Sequence, residues 1–203
     1  GFTGPADKWN GVRLASGPDR ILFYDYTGNT IVPNLAKAWQ VGDGGRTLTH
    51  SLRRGMKWSD GQPFTADDIM FWYQDLYLNK DLLPVPTPEM SINGKPGTVE
   101  KIDELTVAFK FPEPYYLFEE VMGGDSRVGA GLAAGGSAYG PFLGGYAPVH
   151  YLKEFHPKYV SLSDLDQKVK AGGFDNWVNL MKSKTNWALN SELPVLTPWK
   201  TVT

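Results

Sequence analysis

Cysteine is absent from the 203 residues, which excludes disulfides, thiolate metal sites and cysteine nucleophiles together. The compartment stays open, since many exported bacterial proteins lack cysteine. Apolar runs approaching the roughly 20 residues of a membrane span are also missing. So is a charged n-region with an h-region at the start, so an export leader, if one exists, is expected to lie outside this sequence. There is no excess of positive charge: the net charge is −2 and the pI about 5.9, which argues against nucleic acid and other polyanions as partners. Histidine is scarce, and His50, His150 and His156 form neither an i, i+4 pair nor H-E-x-x-H, so a zinc site has little basis.

What is present is ordinary globular material, 41% hydrophobic and 21% charged, able to bury a real core. Aromatics reach 13%, with seven tryptophans. They serve either core and loop packing or a surface of rings for sugars and apolar side chains.

The most informative stretch runs from Ile31 to Tyr77. Trp39 to Gly42 and Arg46 to Leu52 flank Asp43-Gly44-Gly45, a reversal that glycines at positive φ make easy, so a hairpin is expected. In its second strand Leu48, His50 and Leu52 share the apolar face, which makes His50 a half-buried strand residue. Ser59-Asp60-Gly61 marks a turn. A helix then starts at Thr65, its N-cap, with Asp67 and Asp68 on the positive end of the dipole and Phe64 and Ile69 at the positions of a hydrophobic staple. Ile69, Trp72, Tyr73 and Leu76 follow at helical spacing as the buried stripe.

On these residues, PNLAKAW and then DGGRTLTHSLRRGMKWSDGQPFTADDIMFWY, the chain resembles the family 5 extracellular solute-binding proteins, the peptide, nickel and oligosaccharide receptors of bacterial ABC importers. The resemblance covers about a quarter of the chain. Gly44 departs from it where an acidic residue or asparagine is common, and His50 where an aromatic usually fills the core.

Elsewhere the signals are plainer. Gly1 to Pro18 reads as an extended or loop entry and Arg20 to Tyr26 as a short strand closed by Thr27-Gly28-Asn29. Asn79 to Gly97, with its prolines and Asn-Gly pair, reads as a long loop. Val99 to Ile102 and Leu105 to Phe111 make a second hairpin with Leu105, Val107, Phe109 and Phe111 on the core side. Glu113 to Met122 and Pro148 to Phe155 read as short helices, and the glycine-rich Gly123 to Gly145 as irregular. Ser161 to Ala171, opened by a Ser161/Asp164 capping pattern, and Phe174 to Lys184 read as helices. Leu193 to Thr203 looks like the family's strand just before the chain crosses to its second lobe.

Catalytic constellations find no support. GAGLAA, Gly129 to Ala134, fits the dinucleotide pattern with Glu154 about 20 residues on, but no strand leads in and Gly135, Gly136, Gly140 and Pro141 would break the helix. Around Ser137 a nucleophile elbow fails because Tyr139 stands where glycine is required. Without an activated serine, His150 and His156 have nothing to act on. Asp60, Asp67 and Asp68 lack calcium-loop spacing, and turn and cap chemistry accounts for them. Glu119 and Glu120 are a solvated helix face rather than a hydrolase pair.

The expectation is therefore an α+β domain of mixed sheet and hairpins with packed helices, part of a two-lobed fold of periplasmic-binding-protein type II. Residues 1–203 would form a partial first lobe: an opening segment 1–30, a hairpin and helix subdomain 31–160, and a helical segment with a strand, 161–203, leading toward a second lobe. The resemblance implies an extracytoplasmic receptor, periplasmic or at the cell surface and lipid-anchored through an N-terminus absent here. It would capture a small peptide or oligosaccharide and pass it to ABC transporter permease subunits, with no catalysis and no cofactor or metal. Tyr115, Tyr116 and Phe118, between the second hairpin and the glycine-rich loop, are the candidate aromatic wall for ligand, against a role in core packing. A free-standing carbohydrate-binding module is the alternative, with a hydrolase behind it, and the residues encoded after Thr203 discriminate them.

Overall fold

Strict alternation in the sequence becomes strict alternation in burial. Leu48, His50 and Leu52 point into the core while Thr47, Thr49 and Ser51 lie on the other face of their strand. The computed structural model describes residues 20–124, 126–132, 144–186 and 190–196. In chain order the elements are β1 (Leu22–Tyr24), β2 (Ile31–Pro33), β3 (Ala36–Gly42), β4 (Thr47–Leu52), α1 (Ala66–Phe71), β5 (Ser91–Ile92), β6 (Lys95–Pro96), β7 (Thr98–Asp103) and β8 (Thr106–Lys110). Helices α2 (Phe118–Gly123), α3 (Val149–Leu152), α4 (Leu162–Ala171) and α5 (Trp177–Lys184) follow.

A four-stranded sheet of order β3-β4-β8-β7 forms the centre, and β1-β2 and β5-β6 are small separate pairs. These ladders are antiparallel, and an isolated parallel bridge joins Gly131 to Tyr146. The first hairpin turns through Asp43, Gly44 and Gly45, all at positive φ. At Gly45 the turn also needs a missing side chain, because a Cβ would lie 2.6 Å from the Tyr116 ring. Inside Asn79 to Gly97 the expected loop gives way to the β5-β6 hairpin, since Asn93 and Gly94 both take positive φ and close a two-residue turn.

Helix α1 begins as its sequence implies. The Thr65 hydroxyl accepts from the Asp67 N–H and Asp68 Oδ2 accepts from the Thr65 N–H at 2.9 Å. Phe64, Ile69, Trp72 and Leu76 are buried on the core face of the sheet. The helix continues into a π-helical turn, Trp72–Tyr77, where the Leu78 N–H bonds to the Tyr73 carbonyl. Its end is satisfied from outside. His156 Nδ1 accepts the Lys158 N–H, which leaves the proton on Nε2 to donate to the Asp75 carbonyl at 3.1 Å. The Asp75 carboxylate in turn accepts from Lys158 Nζ and the Tyr159 hydroxyl, each at 2.6 Å.

His50 departs from expectation. It is fully buried rather than half-buried, its ring edge-on to Phe109, and among the described residues neither ring nitrogen has a hydrogen-bond partner. Burial pushes its pKa down to about 3, so it sits in the core as a neutral imidazole.

Helix α2 starts at Phe118, later than expected, and α4 and α5 form a small cluster of Leu165, Val169 and Leu180 beside Phe155 and Trp177. Residues 193–196 run without strand pairing. The readings of Gly1 to Pro18, of Ser137 and Tyr139, of Ala133 and Ala134 in GAGLAA, and of 197–203 fall outside the described residues.

Candidate functional site

Four separate segments of the chain meet at an apolar cleft of about 280 Å³, open mouth included. Its walls are Gly131 and Leu132, Tyr146 and Pro148, and Leu193 to Leu196, with Trp58 among them. Aromatic packing holds the floor: Trp58 meets Phe64 edge-on at 5.6 Å and lies 5.9 Å from Tyr146, which meets Phe64 at 5.2 Å. Gly131 is required there, since a Cβ would lie 2.7 Å from the Tyr146 ring. Among the described residues no charged side chain lines the cleft.

Polar groups stand behind this lining and fix it. Asp68, 1% exposed, accepts the Val149 N–H on Oδ1 at 3.1 Å, and its carbonyl accepts the Ala147 N–H at 3.1 Å. One residue thus caps α1 and anchors the Tyr146–Pro148 wall. Burial raises the Asp68 pKa to about 6 against the pull of the Thr65 and Val149 N–H groups; the Trp58 indole N–H also lowers it, from outside hydrogen-bond geometry. One residue past that anchor, His150 Nε2 meets Asp60 Oδ2 at 2.7 Å. Asp60 Oδ1 accepts the Gln62 N–H at 3.2 Å. Burial opposes it, but the Gln62 N–H and the His150 contact hold the Asp60 carboxyl below its ordinary pKa. On the other wall Ser59 and Val195 bond twice, Ser59 N–H to the Val195 carbonyl at 2.9 Å and Val195 N–H to Ser59 Oγ at 3.1 Å.

The three aromatics expected as a ligand wall are placed differently from one another. Phe118 is 1% exposed and packs against Phe109 and Phe111. Tyr115 is half-buried with its ring edge-on to Phe111. Tyr116 is 68% exposed, lies over Gly45 and donates its hydroxyl to the Gly44 carbonyl at 3.1 Å. None of the three lines the cleft. Sequence reasoning missed the cleft itself; its one local signal was the Trp58-Ser59-Asp60-Gly61 turn, read only as a turn.

Among the described residues no group of three or more His, Cys, Asp or Glu could hold a metal ion. Nor is any described helix long and apolar enough to cross a membrane.

The model for bacterial extracellular solute-binding proteins, family 5 Middle, matches residues 30–179. A periplasmic alpha-galactoside-binding protein of Rhizobium meliloti (strain 1021) is 39% identical over 131 residues, 63% of this chain and 16% of that protein. Di/tripeptide-binding protein 1 of Pseudomonas aeruginosa (strain UCBPP-PA14) is 31% identical over 109 residues, 47% of this chain and 20% of the relative. Among solved structures, an oligopeptide-binding protein OppA superposes with a TM-score of 0.78 and 38% identity, covering 100% of this chain and 28% of its own. The periplasmic binding protein MelB of Agrobacterium fabrum C58, in complex with stachyose, superposes with a TM-score of 0.63 and 27% identity, covering 96% and 25%. The chain therefore spans less than a third of each of these proteins. Its α+β fold is that of part of a two-lobed periplasmic binding protein.

Proposed function

Since the chain belongs to the family 5 bacterial extracellular solute-binding proteins, we propose that it is part of the first lobe of an extracytoplasmic receptor that captures a peptide or oligosaccharide for an ABC transporter. The observation that carries this reading is the superposition over the whole chain at 38% identity on an oligopeptide-binding protein. Relatives that bind alpha-galactosides and di/tripeptides supply the two solute classes. Permease subunits are the downstream partners. The working location is the periplasm or cell surface, with lipid anchoring through a segment outside this sequence. Residues 1–30, 31–160 and 161–203 are the opening, the hairpin and helix subdomain, and the helical lead toward the second lobe.

In this reading nothing is catalysed. The solute selects the closed state by touching both lobes, and closure presents a new surface to the transporter. The cleft beside Trp58 and Tyr146 is the proposed contact on this lobe. Its uncharged walls suit the apolar face of a sugar ring or an apolar peptide side chain. Tyr116, with one ring face toward solvent, is the outer contact, and Tyr115 and Phe118 support its segment from the core side.

The test is calorimetry on the product of the full open reading frame with stachyose, raffinose and trialanine. Micromolar binding of one class, lost on substituting Leu196 by Asp in the lining of the cleft, is expected. Binding of neither class, or turnover of any of them, contradicts the reading.

A further inference from the structure

One carboxylate clamps both neighbours of a glycine at the tip of the β5-β6 hairpin. Glu113 Oε2 accepts from Asn93 Nδ2 and Glu113 Oε1 from Lys95 Nζ, each at 2.6 Å. Between them Gly94, at φ +73, closes the two-residue turn with Asn93, at φ +49. Asn93, Gly94 and Lys95 are exposed. Among the described residues, chain neighbours apart, nothing lies within 4 Å of where a Gly94 Cβ would stand, so water reaches the turn freely. The bonds from Lys95 and Asn93 hold the Glu113 carboxyl below its ordinary pKa, which keeps the clamp ionised in neutral and alkaline solution.

We infer that Asn93 is a site of spontaneous deamidation and that Glu113 is the positioning residue that slows it. The chemistry needs only the chain and water. The Gly94 backbone nitrogen attacks Cγ of Asn93; a C–N bond forms, the Cγ–Nδ2 bond breaks, and ammonia leaves with the proton given up by the Gly94 N–H. Water then opens the cyclic imide at either carbonyl, which gives an aspartyl or a β-linked isoaspartyl residue. Glycine favours closure because it puts no side chain beside the attacking nitrogen. Glu113 opposes it in two ways. Its bond to Nδ2 fixes the amide in one orientation, whereas closure needs Cγ free to meet the Gly94 nitrogen. An ionised carboxylate also only accepts hydrogen bonds, so it holds the leaving NH₂ group without supplying a proton to it. After reaction the acid at position 93 has no N–H for Glu113 and meets it with like charge, so the clamp on the hairpin opens. None of this depends on the receptor reading.

The test ages the product of the full open reading frame in mildly alkaline buffer. Peptide mass mapping follows the mass gain of amide-to-acid conversion at Asn93, separately from the other Asn-Gly pair, Asn10-Gly11. Parent, Glu113→Ala, Glu113→Gln and Gly94→Ala proteins are compared, folded and in denaturant. Folded parent should convert slowly and Glu113→Ala about two- to fivefold faster, the range open to a partly solvated contact. Glu113→Gln, which keeps an acceptor oxygen for the Asn93 amide, should stay nearer to the parent. Gly94→Ala should suppress conversion in both conditions. In denaturant, parent and Glu113→Ala should convert alike, because the clamp is gone from both. No conversion at Asn93 in folded parent or in folded Glu113→Ala overturns the site. Equal rates in folded parent and Glu113→Ala, a difference that persists in denaturant, or Glu113→Gln converting as fast as Glu113→Ala overturns the role of Glu113.

Discussion

Asp68 Oδ1 accepts the backbone N–H of Val149 at 3.1 Å, across 81 residues of chain. The same carboxylate closes the capping box on Thr65, so the start of α1 and the wall of the cleft share one buried anion. Asp68→Asn places an amide NH₂ against one of the two N–H donors and should destabilise the chain by about 1–3 kcal/mol at neutral pH. Chemical denaturation checks this; an unchanged midpoint would show that the two N–H groups find other partners.

His50 and Asp68 should oppose one another in pH dependence. The folded pKa of Asp68 is raised to about 6, so its contribution is full below the ordinary carboxylate range and lost as pH rises through 6, amounting to about 3 kcal/mol. The folded pKa of His50 is lowered to about 3, so its contribution is present above the ordinary histidine value and lost as pH falls toward 3, amounting to about 5 kcal/mol. Between about pH 4 and 6 the two slopes cancel. His50→Phe removes two unpartnered buried nitrogens and should stabilise by about 1–3 kcal/mol at pH 7. It should also leave a stability that falls as pH rises from about 4 to 7, the Asp68 term unmasked. Unfolding midpoints across that range test it, and a variant whose stability rises with pH there refutes the assignment.

The seat of Tyr116 makes a separate prediction. Gly45→Ala puts a Cβ 2.6 Å from the ring at φ +86 and should destabilise by about 1–3 kcal/mol. Adding Tyr116→Ala should return part of that loss, since the ring clash disappears while the backbone strain stays. Strict additivity of the two changes would mean that the ring does not rest on the turn.

Trp72 is wholly buried on the core side of the π-helical turn. Trp72→Ala should cost about 3–5 kcal/mol, and Thr65→Ala, which removes the α1 N-cap, about 1 kcal/mol. If Trp72→Ala unfolds at the parent midpoint in urea, the helix does not pack as described.

These positions also mark what the sequence discloses and what it withholds. Both main hairpins, the Thr65 cap, the apolar stripe and the Ser161 cap were legible because each is written in residues within a few positions of one another. The Asn93-Gly94 hairpin carried its signal too, and the surrounding prolines hid it. Nothing local marks Asp68 as an anchor for Val149, because the partner is supplied by the tertiary fold. The depth of His50 was missed for a similar reason: β4 is flanked by β3 and β8 and covered by helices, which alternation within one strand does not reveal. For the same reason the ligand wall expected at Tyr115, Tyr116 and Phe118 resolved into one core ring, one half-buried ring and one exposed ring. The cleft assembles from four separate segments and has no sequence signature of its own.

The central claim is that this chain contributes one side of a solute site enclosed between two lobes. A solute held on one face keeps most of the entropic cost of binding and loses many of its contacts. Losing half of a micromolar interaction, about −8 kcal/mol, leaves millimolar binding. Calorimetry of the 203-residue chain with stachyose and trialanine, beside the product of the full open reading frame, tests this directly. The account predicts no binding tighter than about 1 mM by the chain alone and at least about 100-fold tighter binding by the full product. Submicromolar binding by the 203 residues alone would contradict it and identify a self-sufficient binding module.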